Sequence, residues 1–358
     1  MGRFAFLLHP VSMADFHRKF PPLRYVPDRL VESAFRLVPP FVASQIRGIV
    51  SPTGATADGV FVVLPWTPRL LLETPWPVTL RRLEQAGRMA EAQGAQILGL
   101  GAYTKIAGDR GVTLNDRLGI PVTTGNSFTA ATAVEGALLG AERMGFKRKG
   151  LTVAIVGASG AIGGACARVL AGEVGRLLLV GRNTDGLVPL AEELSGSGAE
   201  ARADLRAAVA ESDVVLCVSS ATEEILAPTD FRPGTVVCDV SRPRNVSAAL
   251  GGQRDDVLVI DGGVISVPGP DADFGMNFGF PPRTAEACIA ETIILALAGR
   301  WEAFTLGKDI TAERVREIAA LGRQHGLTVS GFRRFERALT DADVDAIRAR
   351  AERGRRTA

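Results

Sequence analysis

Short runs of aliphatic and β-branched residues recur in the second half of the chain, and helical stretches with polar positions separate several of them. The runs are LTVAIVGA, RLLLVGR, DVVLCVSS, TVVCDVS and VLVIDGG, which begin at Leu151, Arg176, Asp213, Thr235 and Val257. Strands that are apolar on both faces and alternate with helices are typical of a parallel sheet covered on both sides. The pattern therefore predicts an α/β fold with a Rossmann-like domain over residues 147–280.

The pattern of the first half predicts a second, mixed α/β domain over residues 1–146. GVFVVLPW from Gly59 and AQILGLGAYT from Ala95 have the composition of strands. PVTLRRLEQAGRMAEAQGA from Pro77 spaces its apolar residues as an amphipathic helix does, and TTGNSFTAATAVEGALLG from Thr123 predicts a turn followed by a helix. Residues 281–330 are expected to hold helices that pack back on the molecule, and residues 331–358 form a charged, Arg-rich tail.

A glycine-rich segment marks the candidate cofactor site. VAIVGASGAIGGACARVL from Val153 places Gly157, Gly160 and Gly163 between a predicted strand and a predicted helix. Glycine permits the tight turn and the close approach of a pyrophosphate, and the helix N-terminus offers unpaired N–H groups to the phosphates. The spacing is GxxGxxG rather than GxGxxG, but the strand before it and the helix after it favour a dinucleotide site.

The end of the second predicted strand favours NADPH over NADH. An NAD enzyme typically has an acidic residue there for the ribose 2′-hydroxyl, whereas this chain has Arg182, whose guanidinium suits a 2′-phosphate. Asp185 is nearby in the sequence, and Arg182 on a solvated surface is the alternative. The predicted cofactor contacts are Gly157, Ser159, Gly160, Ala161, Ile162, Gly163, Arg182 and Asn183, with Gly262 and Gly263 near the nicotinamide.

Composition limits the remaining possibilities. The net charge is +2 and aromatic residues make up 6% of the chain, so neither a basic face nor a stacking platform for nucleic acid is indicated. With three histidines and no CxxC pair among the four cysteines, no metal site is predicted. The N-terminus does not resemble a signal peptide, and no apolar run approaches the roughly 20 residues of a membrane span, so we expect a cytoplasmic protein.

One cysteine differs from the others in its sequence context. Cys166, Cys217 and Cys238 fall in a predicted helix or in apolar strands, where free cysteine behaves as a small hydrophobic residue. Cys288 follows Pro281 and Pro282, which can start a helix, and so falls within the first two predicted turns. A helix N-terminus lowers the pKa of a thiol, an effect that fades after about one turn. Cys288 is therefore either a nucleophile or a core residue.

Several segments, in the same order, resemble the cyanobacterial long-chain fatty acyl-[acyl carrier protein] reductases. The cysteine segment ACIAET matches the ACFAEA-type segment that holds the catalytic cysteine of that family. The other matching segments are FAFLLHPVS, LVPPFVASQIRGIVSPTG, ILGLGAYTKI, VTTGNSFTAA, VAIVGASGAIGGA and VIDGGVIS. The resemblance covers residues 4 to 328 and leaves the charged tail outside.

The resemblance implies an NADPH-dependent enzyme that forms a fatty aldehyde. The Cys288 thiolate attacks the thioester of an acyl carrier protein or CoA, and hydride then releases the aldehyde. Residues 1–146 become the acyl-substrate domain, and residues 281–330 carry the catalytic cysteine. Asn126 and Ser127 are hydrogen-bond donors for the oxyanion or helix caps. By charge, FKRKG at Phe146 and the Arg-rich tail are candidates for docking an acidic carrier, with solvated surface as the alternative, and the resemblance implies an aldehyde-consuming enzyme as a further partner.

Three other functions compete with this interpretation. A shikimate-dehydrogenase-like enzyme reduces a ketone directly with a Lys–Asp pair; Lys105 could supply the lysine, but Ser127 follows Asn126 where the aspartate is expected. A glutamyl-tRNA reductase would need a tRNA-binding region, which the sequence does not show. An NADP-binding sensor or scaffold without catalysis is the third possibility.

Overall fold

The computed structural model describes residues 1–13, 17, 21–182, 184–276 and 281–357. The chain divides into two compact units that share it in alternation. The first unit contains Met1–Asn126, Ile265–Gly307 and Ala320–Thr328, and the second contains Ser127–Val264, Lys308–Ala319 and Val329–Ala358. Each unit is built on its own sheet.

The first unit has a five-stranded sheet in the order β2-β3-β1-β4-β5. Its strands are β1 (Gly2–Leu8), β2 (Phe41–Val50), β3 (Thr56–Val63), β4 (Leu98–Leu100) and β5 (Val122–Thr123). All neighbours pair in parallel except β2 and β3, which are antiparallel. The strands predicted at Gly59 and Ala95 correspond to β3 and β4, which lie inside the sheet and are almost wholly buried.

The described part of residues 1–126 contains five helices with defined bounds. They are α1 (Asp28–Phe35), α2 (Pro68–Glu73), α3 (Trp76–Ala92), α4 (Ala102–Ile106) and α5 (Val112–Arg117). The amphipathic pattern after Pro77 forms α3 as predicted, and its apolar face buries Leu80, Leu83 and Ala86. The apolar run that includes Val60, Val62 and Trp66 belongs to the same core.

The second unit contains a six-stranded, all-parallel sheet in the order β11-β10-β9-β6-β7-β8. The strands are β6 (Thr152–Val156), β7 (Arg176–Val180), β8 (Ala199–Arg202), β9 (Val214–Cys217), β10 (Val236–Asp239) and β11 (Leu258–Asp261). This is the strand order of the doubly wound dinucleotide-binding fold. The predicted Rossmann-like fold is confirmed.

Helices flank this sheet along the sequence. They are α6 (Asn126–Arg143), α7 (Ala161–Leu170), α8 (Val188–Glu193), α9 (Leu205–Glu211) and α10 (Leu250–Gln253). Because α6 presents small residues to the sheet, its backbone carbonyls at Ala130 and Ala133 accept hydrogen bonds from the Cys166 and Cys238 thiols. Both cysteines are packing residues in this unit.

The remaining elements follow β11. They are β12 (Val264–Ser266), β13 (Thr284–Glu286), α11 (Ala287–Leu297), α12 (Ala312–Gln324), β14 (Thr328–Val329), β15 (Arg333–Arg334), β16 (Arg337–Ala338) and α13 (Asp341–Thr357). Helix α11 is buried over its whole length and packs against β1, β3 and β4 of the first unit. The segment after Gly331 forms the β15–β16 hairpin and α13, which buries Val344, Ile347 and Ala351.

Candidate active site

The glycine-rich loop of the second unit has the geometry of a pyrophosphate cradle. Gly157 adopts φ +94°, and a Cβ there would lie 2.7 Å from the Ser219 Cα at the end of β9. A Cβ on Gly163 would lie 2.2 Å from the Gly157 carbonyl oxygen, so α7 packs directly on the loop. Gly160 caps α7 without any side-chain hydrogen bond to the helix N-terminus. The loop therefore fits a dinucleotide phosphate.

The loop is held beside the end of the second strand. The backbone N–H groups of Gly157 and Ala158 donate to the Val180 carbonyl at 2.9 and 3.2 Å. Ser159 is exposed and lies next to Gly181: a Cβ on Gly181 would be 3.5 Å from the Ser159 Oγ. Arg182 is exposed at this edge, and the predicted contact Asn183 lies outside the described residues. Ser159 and Arg182 thus both lie beside the carboxyl end of β7, next to the glycine loop.

A polar network that the sequence did not single out joins the ends of β9 and β10. The hydroxyl groups of Ser219 and Ser241 donate to the Asn245 Oδ1 at 2.6 and 2.8 Å. The buried Asp239 accepts hydrogen bonds from the backbone N–H groups of Asn245 and Val246, while burial raises its pKa. The only sequence signal was the polar run SRPRN directly after a buried strand. Gly262 and Gly263 form the next turn at this carboxyl edge, after β11.

Cys288 lies in the first turn of α11 in the first unit. The helix begins at Ala287, with Glu286 as its N-cap residue, and β13 occupies Thr284–Glu286. The expectation that Pro281 and Pro282 start the helix is wrong, because an extended strand separates them from it. Cys288 is consequently nearer the helix N-terminus than the sequence suggested. Only 7% of the surface of Cys288 is exposed.

The TTGN turn passes directly over this cysteine. Gly125 adopts φ +71°, and a Cβ there would lie 2.3 Å from the Cys288 Cα and 2.5 Å from its Cβ. No side chain fits in that space. The two motifs are thus in contact, although 163 residues of sequence separate Gly125 and Cys288 (288 minus 125).

Two charged side chains of opposite sign act on the Cys288 thiol. Burial raises its pKa to about 12, the negative charge of Glu286 adds to this, and the positive charge of Lys105 and nearby backbone N–H groups oppose it. The sulfur lies 3.8 Å from the Glu286 Oε2 at hydrogen-bond geometry. At rest the thiol is therefore protonated, and it has a carboxylate acceptor at contact distance.

Lys105 is fixed by residues at and just before the start of α6. Its Nζ donates to the Asn126 Oδ1 at 2.7 Å and to the Thr124 carbonyl at 3.3 Å. The amide oxygen of Asn126 thus holds the lysine, a contact that spacing alone could not reveal. Ser127, the other predicted donor, is buried at the start of α6 in the second unit.

Several other buried ionisable groups have structural partners. The Glu291 carboxylate, fully buried, accepts a hydrogen bond from the Thr123 Oγ1 at 2.5 Å. The His9 Nε2 accepts the Tyr103 backbone N–H at 2.9 Å, and its Nδ1 lies 2.8 Å from the Pro10 carbonyl. Burial raises the pKa of Cys166 to about 12 and also raises those of Cys217 and Cys238. These groups support the fold.

The fold of the second unit thus indicates the class of the protein: it contains a dinucleotide-binding domain of the kind found in oxidoreductases. The family model described as shikimate / quinate 5-dehydrogenase matches residues 139–261, which include β6 to β11. This agrees with the strand order and with the glycine loop, and it supports the prediction of an NADPH-dependent oxidoreductase. The match ends before β12 and does not include Cys288.

Two curated proteins are similar over most of the chain. Aminotransferase PigE from a Serratia species is 30% identical over 286 residues, which are 78% of this chain and 33% of PigE. The chain thus spans about a third of that relative. The long-chain acyl-[acyl-carrier-protein] reductase of Synechococcus elongatus is 29% identical over 307 residues, 80% of this chain and 87% of that protein. The second relative belongs to the family that the sequence motifs resemble.

Solved structures show distant likeness. The L-tryptophan dehydrogenase of Nostoc punctiforme aligns over 99% of this chain and 89% of its own, with 11% identity and a TM-score of 0.42. The glutamyl-tRNA reductase of Methanopyrus kandleri covers 81% of this chain and 60% of its own, with 18% identity and a TM-score of 0.30. Among the described residues, no helix combines the length and apolarity needed to cross a bilayer.

Proposed function

We propose that the protein is an NADPH-dependent reductase that converts a long-chain acyl thioester to an aldehyde through an acyl group on Cys288. One observation carries the proposal. The thiol lies in the first turn of α11, against the TTGN turn, with Glu286 at 3.8 Å and the charge of Lys105 acting on it. A thiol that only filled space would not need a carboxylate and an ammonium group around it.

The side chains divide the chemistry between them. Cys288 supplies the sulfur that replaces the carrier thiol on the acyl carbon, and the acyl chain stays attached to the protein. The Lys105 ammonium, held by Asn126 and the Thr124 carbonyl, stabilises the negative charge that develops on the thioester oxygen. When bound, NADPH supplies the hydride that reduces the acyl group. Gly157, Gly160 and Gly163 hold its pyrophosphate, and Ser159 and Arg182 hold its ribose phosphate.

The acyl donor is proposed to be a carrier protein, and CoA is the alternative. Two basic segments are close neighbours in the second unit: a Cβ on Gly145 would lie 2.8 Å from the Arg348 guanidinium, and the Arg355 guanidinium carbon lies 5.4 Å from the centroid of the Phe146 ring. Lys147, Arg148 and Lys149 follow directly and are all exposed. An acidic carrier would find complementary charge here. An aldehyde-consuming partner remains a proposal from the resemblance.

The direct test is intact-mass spectrometry after the protein is mixed with a long-chain acyl thioester in the absence of NADPH. We expect a mass gain of one acyl group that peptide mapping assigns to Cys288. Addition of NADPH should discharge the acyl group as an aldehyde, at a rate that matches the consumption of NADPH.

The matched variants are Cys288→Ala and Cys166→Ala. Cys288→Ala should take up no acyl group and lose turnover by more than about 10³-fold, since covalent catalysis depends on the sulfur. Cys166→Ala removes a buried thiol from the other unit and should be acylated as the native protein is. Acylation elsewhere, or full NADPH consumption by Cys288→Ala, would refute the proposal.

The shikimate-dehydrogenase-like alternative has one observation in its favour, the family match to residues 139–261. It predicts direct hydride transfer with a lysine and a carboxylate. Lys105 instead donates to the amide of Asn126. If Cys288→Ala keeps its activity on a ketone or hydroxy acid while Lys105→Met loses it, this alternative is correct.

A further inference from the structure

The Cys288 thiol requires a proton acceptor before it can act as a nucleophile. Its sulfur is buried, and its pKa of about 12 leaves it protonated. A mechanism that waits for this buried thiol to ionise spontaneously would be slow, because the thiolate is the nucleophile. The proton must pass to a group that touches the sulfur.

The described surroundings of Cys288 offer one such group. The Glu286 Oε2 lies 3.8 Å from the sulfur, within the range of a thiol hydrogen bond. Lys105 is a cation and a donor, and the buried Glu291 carboxylate already accepts a hydrogen bond from Thr123. Both ring nitrogens of His9 are engaged by the backbone.

The local backbone leaves the Glu286 carboxylate available for this role. Glu286 is the N-cap residue of α11, but its side chain forms no capping hydrogen bond with the helix. It is partly exposed at the end of β13, so it can meet both the sulfur and an incoming substrate. Glu286 is the last residue of β13 and Cys288 lies in the first turn of α11. The backbone of these two elements therefore holds Glu286 at a fixed distance from Cys288.

We propose that Glu286 is the general base and then the general acid of the acyl-transfer step at Cys288. The inference rests on the proposed thioester chemistry. As the sulfur of Cys288 bonds to the acyl carbon, its proton moves to the Glu286 carboxylate. The carbon–sulfur bond to the carrier then breaks, and the carrier sulfur takes that proton. The products are acyl-Cys288, the free carrier thiol and the original carboxylate, so atoms and charge balance.

Glu286 has two opposing effects on the same sulfur, and these make the proposal testable. Its negative charge raises the pKa of Cys288, so that the resting thiolate is disfavoured. Its lone pair accepts the proton when a thioester arrives. Removing the charge should therefore make the free thiol more acidic and, at the same time, make acyl transfer slower. A purely structural residue would not separate the two effects.

The experiment follows acyl-Cys288 formation by rapid quench and intact mass, without NADPH, in the native protein and in Glu286→Gln. The amide has nearly the same shape but cannot accept the proton. We expect acylation to slow by about 100-fold near pH 7, the lower range of general-base effects. The rate of the variant should rise about tenfold per pH unit up to about pH 9, because it depends on the thiolate fraction, whereas the native rate should change little.

Alkylation by iodoacetamide gives the second measurement. In Glu286→Gln it should be at least as fast as in the native protein at about pH 8, because the charge that opposes the thiolate is absent. Glu286→Asp, a carboxylate one methylene shorter, should recover part of the acylation rate and the native pH profile. Glu73→Gln, which removes an exposed carboxylate of the same unit, should behave as the native protein does.

The outcomes separate this inference from the proposed function. If the native protein is acylated and Glu286→Gln is acylated at the same rate with the same pH profile, Glu286 is not the base, and the reductase proposal survives. If Glu286→Gln loses alkylation and acylation together and Glu286→Asp recovers neither, the residue is structural and the inference is wrong. If the native protein takes no acyl group at all, the reductase proposal fails, and this inference fails with it.

Discussion

At the scale of single residues, the contact of Gly125 with Cys288 explains why two distant motifs occur together. The glycine has φ +71°, and its missing Cβ leaves room for the cysteine backbone. Asn126, the next residue, holds Lys105, whose charge acts on the same sulfur. One turn thus sets both the position of the thiol and the position of its cation.

Gly125→Ala should disturb the site without removing any chemical group from it. The left-handed conformation alone costs an L-residue about 1–2 kcal/mol, and the new Cβ would lie 2.5 Å from the Cys288 Cβ. We expect acylation of Cys288 to fall by more than about tenfold as Lys105 and the thiol move apart. Rapid-quench mass spectrometry and thermal unfolding measure the two effects.

The control for this change is Gly54→Ala, which also has a positive φ, +85°, but has no atom within 4 Å of the new Cβ. It should lower the stability to a similar extent through backbone strain and leave acylation unchanged. Equal loss of acylation in both variants would contradict the role assigned to the Gly125 contact.

At the scale of elements, the sequence predicts the strands of the second unit that are apolar runs, including β11 at one sheet edge, and misses the polar edge strand β8. The interior strands β6, β9 and β10 are continuous apolar runs, whereas β8 at the sheet edge is Ala199–Arg202 and has no fully buried residue. Its pairing with β7 comes from the backbone, which leaves no hydrophobic signal. The predicted start of α11 was too early because β13, the strand before the helix, has only three residues and leaves no recognisable pattern.

The same limit applies to the candidate site. Cys288 and the glycine loop are identifiable from sequence because the chemistry depends on the residue type. The Lys105–Asn126 bond and the Ser219–Asn245–Ser241 network join separate elements, so no local pattern reports them. Glu286 is only two residues from Cys288, yet its role depends on a strand ending and a helix beginning between them.

Helix α7 supplies an element-scale prediction. A Cβ on Gly163 would meet the backbone of the glycine loop, at 2.2 Å from the Gly157 oxygen, and neither backbone can yield easily. Gly163→Ala should push α7 from the loop and weaken NADPH binding by about tenfold or more, which fluorescence titration of the nucleotide would measure.

Gly196→Ala is the matched control for this variant, because no atom lies within 4 Å of its new Cβ in the same unit. NADPH affinity should be native in this control. Acylation of Cys288 without cofactor should remain native in Gly163→Ala, so that a loss of acylation there would contradict the division of roles between the two units.

At the scale of the whole molecule, charge is distributed unevenly along α13. Its first turns contain Asp341, Asp343 and Asp345, and its second half is rich in arginine, an order that suits the helix dipole. The basic half lies beside Phe146 and the residues that precede β6, at the amino-terminal edge of the parallel sheet. The glycine loop follows β6 and is at the opposite edge of that sheet.

Reversal of charge in Lys147, Arg148 and Lys149 should therefore affect the carrier and not the cofactor. With all three changed to Glu, we expect KM for an acyl carrier protein to rise about tenfold at low ionic strength, and less at high salt, because screening weakens the attraction. KM for NADPH and for a neutral acyl-N-acetylcysteamine thioester should stay unchanged in steady-state assays. An unchanged KM for the carrier would exclude this docking surface.

The alternation of the chain between its two units affects the order in which the protein can fold during synthesis. All six strands of the second unit's sheet lie between Thr152 and Asp261 and can pair as soon as that stretch leaves the ribosome. The first unit begins earlier but must wait for α11, which covers β1, β3 and β4 and extends to Leu297. Its apolar sheet face stays uncovered until then, and transiently exposed apolar surface of this kind favours aggregation of a nascent chain.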